Sequence, residues 1–281
     1  MSTTPIATHT TSLPARRLPS TLRVGLERGR HELRCFFRGR ESVLFTLLFP
    51  VMLLVLFGAI FGGNNAMKGV KYSQVLMAGI MASGLASVTF VNLAISIATE
   101  RDAGDLKRLI ATPMPKAAYF IGKFIQVLVT MLVEFALIFI VGVTLYGVKL
   151  PSSPGRWFTF AWVTVLGSVA CTALGIAVSS LPKNARSAAP VVNLPFVALQ
   201  FISGVFVPFN EVPPTMRAIA SLFPLKWLAQ GYRSLLLPDR YLAVEASHSW
   251  QHGQAALALG VWVVLGTALC VRTFRWQRGN R

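Results

Sequence analysis

The chain alternates long apolar blocks with short basic segments. Six blocks are long enough to cross a bilayer: 43–62, 74–99, 118–148, 157–181, 187–209 and 253–271. A helical span needs about 20 residues at about 1.5 Å rise to cross about 30 Å of hydrocarbon. The blocks are continuous rather than alternating. That excludes β-barrel strands and predicts helices, whose backbone hydrogen bonds close within each segment. The second block exceeds the hydrocarbon thickness and is expected to tilt or extend past it. The fifth carries Pro190, Pro195 and Pro208.

The segments between the blocks differ in kind. Residues 1–17 are rich in Ser, Thr and Pro and read as a disordered tail, with no apolar run that would make a secretory signal. In 18–41, Leu22, Leu26, Leu33, Phe36 and Phe37 recur at helical spacing among six arginines. This predicts an amphipathic helix lying in the headgroup layer. Residues 211–252 form a long connection that is not polar. Met216, Ile219, Leu222, Phe223, Trp227 and Leu228 must be buried, so 213–237 is read as two short re-entrant helices broken at Pro224. The fold class is therefore an all-α membrane protein of six spans. A basic tail follows at 273–281.

Composition agrees. Hydrophobic residues make up 54% and charged residues 13%, with a mean hydropathy of +0.59. A soluble protein carries about 25% charged residues. The net charge of +17 does not point to nucleic acid, because the basic residues fall between apolar blocks rather than on a soluble face. Placing both termini in the cytoplasm puts 19 of the 27 basic residues inside, as the positive-inside bias requires, where they meet anionic lipid.

Catalytic chemistry is sparse. Gly122-Lys123 is followed by Phe124, so no phosphate-binding loop forms, and no zinc or nucleophile motif occurs. No cofactor and no metal are expected on this chain. His248 and His252 stand four apart but alone, and Cys35, Cys171 and Cys270 are scattered. Glu134 is the one carboxylate well inside a span. It is either a proton- or cation-coupling group or a carboxyl paired or buried uncharged. Asn92, Asn193 and Gln200 are neutral polar residues in spans, read as hydrogen bonders between helices and as candidate substrate contacts. Gly79, Ser83 and Ser87 recur every four residues, a row for close helix packing or for a subunit seam.

The segment after the second block is the most specific. It runs Glu100-Arg101-Asp102-Ala103-Gly104-Asp105-Leu106-Lys107-Arg108-Leu109-Ile110-Ala111-Thr112-Pro113. It predicts a short amphipathic helix over 101–111, stopped at Thr112-Pro113. Such a helix suits a groove in another protein. Glu100-Arg101, Gly104, Leu106, Leu109, Thr112-Pro113 and Gly122-Lys123 resemble the intracellular signature of ABC-2-type permeases, the membrane subunits of bacterial ABC exporters. Ser203-Gly204-Val205-Phe206-Val207-Pro208, Pro213, Leu222-Phe223-Pro224-Leu225 and Tyr232-Arg233 resemble the later part of the same family. The likeness extends from about 34 to 275 and is greatest to daunorubicin-resistance-type efflux permeases. Asp105 departs from it, since the family often has Thr there.

The resemblance implies a bacterial inner-membrane subunit without its own ATP site. It would work with two ATP-binding subunits, which hold ATP and magnesium, and with a second permease, identical or paralogous. Residues 101–111 would be the coupling helix and 18–41 the interfacial connecting helix. Leu106 and Leu109 would fill the ATPase groove. Arg101, Lys107 and Arg108 would make ion pairs at its rim, and Glu100 would pair across the inner gate. Asn92, Glu134, Asn193 and Gln200 would be pathway candidates, and Pro213, Phe223, Pro224 and Trp227 an outer lid. The cargo would be an amphiphilic drug or lipid-like molecule. The alternatives are a glycolipid or polysaccharide precursor, or proton-coupled secondary transport through Glu134.

Overall fold

The computed structural model describes residues 20–61, 65–67 (as backbone) and 69–274. The expected tail at 1–17 and nearly all of the basic tail lie outside the described residues. Helix α1 spans Thr21–Arg38. The six membrane helices are α2 (Arg40–Phe61), α3 (Tyr72–Asp102), α5 (Lys116–Tyr146), α6 (Pro154–Val178), α7 (Ala185–Ile202) and α10 (His252–Thr273). Short helices lie between them: α4 (Asp105–Ile110), α8 (Pro214–Ser221) and α9 (Pro224–Leu236). The all-α reading needs one small addition. Strands β1 (Asn65–Met67) and β2 (Val70–Lys71) form an antiparallel hairpin between α2 and α3.

Lipid-facing helices need apolar side chains all round, whereas a central helix buries them in its own subunit. Only α3 is central. In its apolar stretch 72% of residues are buried, against 17% to 44% in the other five. Small residues make this possible. A Cβ on Gly79 would collide with the backbone of Val205, and one on Gly84 with the Glu134 carboxyl. Ser83 accepts a 2.7 Å hydrogen bond from Gln200 of α7. The Gly79–Ser83 row therefore packs within the subunit.

Two expectations shift. Helix α7 passes through Pro190 and Pro195 but ends at Ile202, short of 209, because Gly204 turns the chain at φ +76°. The two re-entrant helices also part company. Every residue of α9 is buried, packed between α3 and α6, whereas Met216 and Ile219 of α8, and Leu222 just past it, are exposed. The break does fall at Pro224, the first residue of α9, where a missing N–H is tolerated.

Candidate functional site

The central helix α3 ends in three charged residues, and each grips a different neighbour. Glu100 accepts a 2.9 Å hydrogen bond from the Tyr119 hydroxyl and pairs with Lys123, both on α5. Arg101 donates to the carbonyls of Ser179 and Pro182, just past α6. The Asp102 carboxylate accepts the N–H of Ala185 at 2.9 Å, where α7 begins. A carboxylate there caps a helix N-terminus and complements its dipole. Gly104, at φ +79°, then reverses the chain into α4.

The helix predicted over 101–111 is thus two pieces joined at Gly104. Leu106 is fully buried in this chain's own core, and Leu109 packs against the same cluster. Leu106 thus does not offer the expected apolar face to a partner, whereas half-buried Leu109 also borders the space between α1 and α4. The reason is length: a helix of six residues is not stable alone in water and must bury a face on its own subunit. Arg101 also donates to internal carbonyls of its own subunit. Lys107, Arg108 and Ile110 face outward. Arg108 approaches Asp105 at 3.5 Å with both side chains half-exposed or more, a pair that contributes little.

Beside α4, helix α1 is docked on α5. Gly25 and Gly29 face Ile121 and Ile125, and a Cβ on Gly29 would stand 2.9 Å from that of Ile125. This close approach brings Glu32 to Lys123 at 2.9 Å. The buried ammonium of Lys123 is held by Glu32, by Glu100 and by the Ser96 hydroxyl at 2.9 Å. Arg28 bonds Glu32 at 2.5 Å and so brings a second cation to the two carboxylates. Buried charges are tolerated when paired and hydrogen-bonded in this way. Arg28, Glu32, Ser96 and Tyr119 were not predictable as a site from composition. The signal was the Gly25-x3-Gly29 row with Glu32 following, buried beside the exposed Leu22 and Leu26 on the adjoining edge of the same stripe. A groove of about 440 Å³ runs between α1 and α4, lined by Glu32, Cys35, Arg108, Leu109 and Thr112 among others.

The sequence model described as ABC-2 type transporter matches residues 29–237, from the docked face of α1 to the end of α9. The chain belongs to the ABC-2 transporter family. A protein of Porphyra purpurea whose name, ycf38, assigns it as a transport permease is 30% identical over 204 residues, 70% of this chain and 68% of that one. The inner membrane transport permease YadH of Escherichia coli is 24% identical over 197 residues, 67% of this chain and 74% of that one. A third relative from E. coli, YbhR, is named as a multidrug ABC transporter permease. It is 23% identical over 175 residues, 62% of this chain but 46% of that one. The permease is therefore a multi-pass membrane protein of transport, and its family implies pairing with an ATP-binding subunit. Permeases of this family carry no cofactor of their own, and among the described residues no group of three or more metal ligands occurs.

The remaining predicted residues do not converge on one site. Asn92 donates to Thr46 of α2 at 3.1 Å, a bond between two π-helical turns. Gln200 is spent on Ser83, and Asn193 is half-buried on α7. Glu134 is fully buried against Gly84, and neither of its oxygens has a hydrogen-bond partner among the described residues. It is buried inside the subunit. Of the lid residues, Phe223 stacks on Trp262 of α10 with centroids 6.2 Å apart, and Trp227 donates to the Ser221 carbonyl at 2.8 Å. Pro213 caps α8 and is exposed, and Pro224 opens buried α9. Pro224 and Trp227 are therefore buried within the subunit.

Proposed function

We propose that this permease is the membrane subunit of an ATP-driven exporter that carries an amphiphilic drug or lipid-like molecule outward across a bacterial inner membrane. Two ATP-binding subunits drive two permeases, and both termini face the cytoplasm. The reading rests on one observation: α4 is seated by buried Leu106 at the end of a central helix whose last three residues grip α5, α6 and α7. A push on α4 is passed to the whole bundle, because packed helices shift between discrete arrangements rather than deform. The docked α1 beside it supplies the second wall of the groove that receives the ATPase.

The partner-facing residues are Lys107, Arg108 and Ile110, in place of Leu106. The cargo class is supported by the apolar, largely uncharged spans and by likeness to a relative named for multidrug transport. Asn193, on sparsely covered α7, is the pathway residue of this reading, with the path lying between the two permeases. Proton coupling through Glu134 loses support from its buried position.

The test is co-purification. The tagged permease is co-expressed with the ATP-binding subunit encoded nearest to it, and ATP hydrolysis is measured in mild detergent. Ile110→Asp with Lys107→Glu is expected to abolish co-purification while leaving the permease's unfolding temperature unchanged. Retention of a fully active ATPase by this variant would remove α4 as the contact.

A further inference from the structure

At the end of the bundle opposite α4, buried α9 carries three polar residues on one face. Lys226, Gln230 and Arg233 follow at helical spacing and look towards 238–251. Arg233 is fully engaged. Its guanidinium donates to both oxygens of Glu245, at 3.1 and 2.9 Å, and to the Gly204 carbonyl at 3.2 Å. Glu245 is thereby neutralised.

The other two are not fully engaged. The Gln230 amide donates through Nε2 to the Ser249 carbonyl at 3.2 Å and to Gln251 Oε1 at 3.3 Å. Both partners are acceptors, so they fix which end of the amide is which. Its Oε1 is left buried without a partner, on a side chain that is 1% exposed. A buried acceptor without a donor is costly and uncommon. Lys226 donates to Gln251 Oε1 at 3.2 Å and stands 3.3 Å from the centre of the Trp227 ring. No carboxylate lies within ion-pairing distance of it among the described residues. Gln251, which both side chains share, is held at φ +48°, a left-handed conformation that a non-glycine residue adopts only when its surroundings impose it.

These groups open onto a cavity of about 460 Å³ between α8, α9 and 245–254. Phe209 and Trp227 form apolar wall, and Arg217 stands in it without an acidic partner among the described residues. The cavity therefore offers Lys226 and Arg217, with the ion-paired Glu245 carboxylate also in its wall and the unpartnered Gln230 Oε1 buried just behind that wall.

We propose that this cavity binds a small anionic headgroup carrying hydroxyls. The phosphate or carboxylate would lie against Lys226 and Arg217, and a small turn of the Gln230 side chain would present its buried Oε1 to a ligand hydroxyl. A phosphate ester in solution and the headgroup of an anionic lipid share this chemistry. The site faces the outside only on the orientation adopted above. Its binding requires neither that orientation nor the ATPase.

The test uses the full chain in phosphatidylcholine nanodiscs, without a partner. Glycerol 3-phosphate and inorganic phosphate are titrated by calorimetry, and dioctanoyl phosphatidylglycerol is followed by native mass spectrometry. Glycerol 3-phosphate is expected to bind more tightly than inorganic phosphate. Lys226→Met and Gln230→Met are each expected to weaken it by about tenfold, and Arg217→Ala by about threefold. Inorganic phosphate is expected to ignore Gln230→Met. Binding of phosphatidylglycerol alone, with the same sensitivities, would assign the lipid as the source. Arg217→Ala changes a half-exposed residue and serves as the readout where Lys226→Met does not fold. The proposal falls if neither glycerol 3-phosphate nor phosphatidylglycerol binds, or if the variants bind as the wild type does.

Discussion

Lys123 and Lys226 are two lysines buried to almost the same degree at opposite ends of one bundle, and their surroundings differ completely. Lys123 meets two carboxylates and a hydroxyl, supplied by α1 and α3. Lys226 meets a glutamine oxygen and an aromatic face. The first is a joint in which the buried ammonium is answered by two carboxylates. The second is an open one. Burial, with Arg233 near, holds the Lys226 ammonium well below the usual lysine range, at about 7, although Glu245 acts the other way. The lesson is that burial alone does not tell a structural charge from a receptive one. The partner count does.

Removing the Lys123 joint should have the largest effect. Lys123→Met leaves Glu32 and Glu100 without their shared cation and is expected to cost about 3–5 kcal/mol, read as a large drop in unfolding temperature in detergent. An unchanged unfolding temperature would mean that the joint holds nothing.

Loosening the same joint from its glycine side should cost less. Gly29→Val drives a branched side chain into Ile125 and is expected to cost about 1–3 kcal/mol. It should also free α1 to a protease in limited digestion. If α1 stays protected, glycine packing is not what seats Glu32 on Lys123.

At the open end the sign should reverse. Lys226→Met replaces a buried amine that has no carboxylate partner among the described residues and is expected to leave stability at pH 7 unchanged or to raise it by about 1 kcal/mol. The pH dependence sharpens this. The folded Lys226 has a lower pKa than the unfolded lysine, so between about pH 7 and pH 10 the unfolded chain binds more protons. Wild-type stability from this group therefore rises with pH across that window, and the gap to Lys226→Met closes. A gap that widens towards pH 10 would contradict the open-joint description. Arg217 and Glu245 face the same cavity, Arg233 holds Glu245 from behind, and all three are unchanged in both proteins. The smallest effect belongs to Gln230→Met, which removes the orphaned acceptor but also two donated bonds. It is expected to move stability by less than about 1 kcal/mol while altering ligand binding.

Much of the architecture was readable along the chain. The six spans follow from apolar length, because a backbone in lipid must satisfy itself. The break at Pro224 and the stop at Thr112-Pro113 follow from proline's missing donor and fixed φ. The apolar stripe of α1 is legible in the chain, whereas its glycine row has no hydrophobic side chain to mark it. Leu106 shows where pattern reading fails. An amphipathic periodicity says that one face must be buried but not against which surface, and here the surface belongs to the same chain.

What the sequence determined by itself is therefore one-dimensional: where helices start and stop, how many cross the membrane, and which family they belong to. These depend on neighbours a few residues apart. What only the tertiary structure decided is which buried charges are answered. Glu32 and Lys123 lie 91 residues apart in the chain, and nothing local distinguishes Lys123 from Lys226. Electrostatic energy in a low-dielectric interior depends on distance in space. Only the packing of α1 on α5, and of α9 beneath 238–251, brings those distances into being.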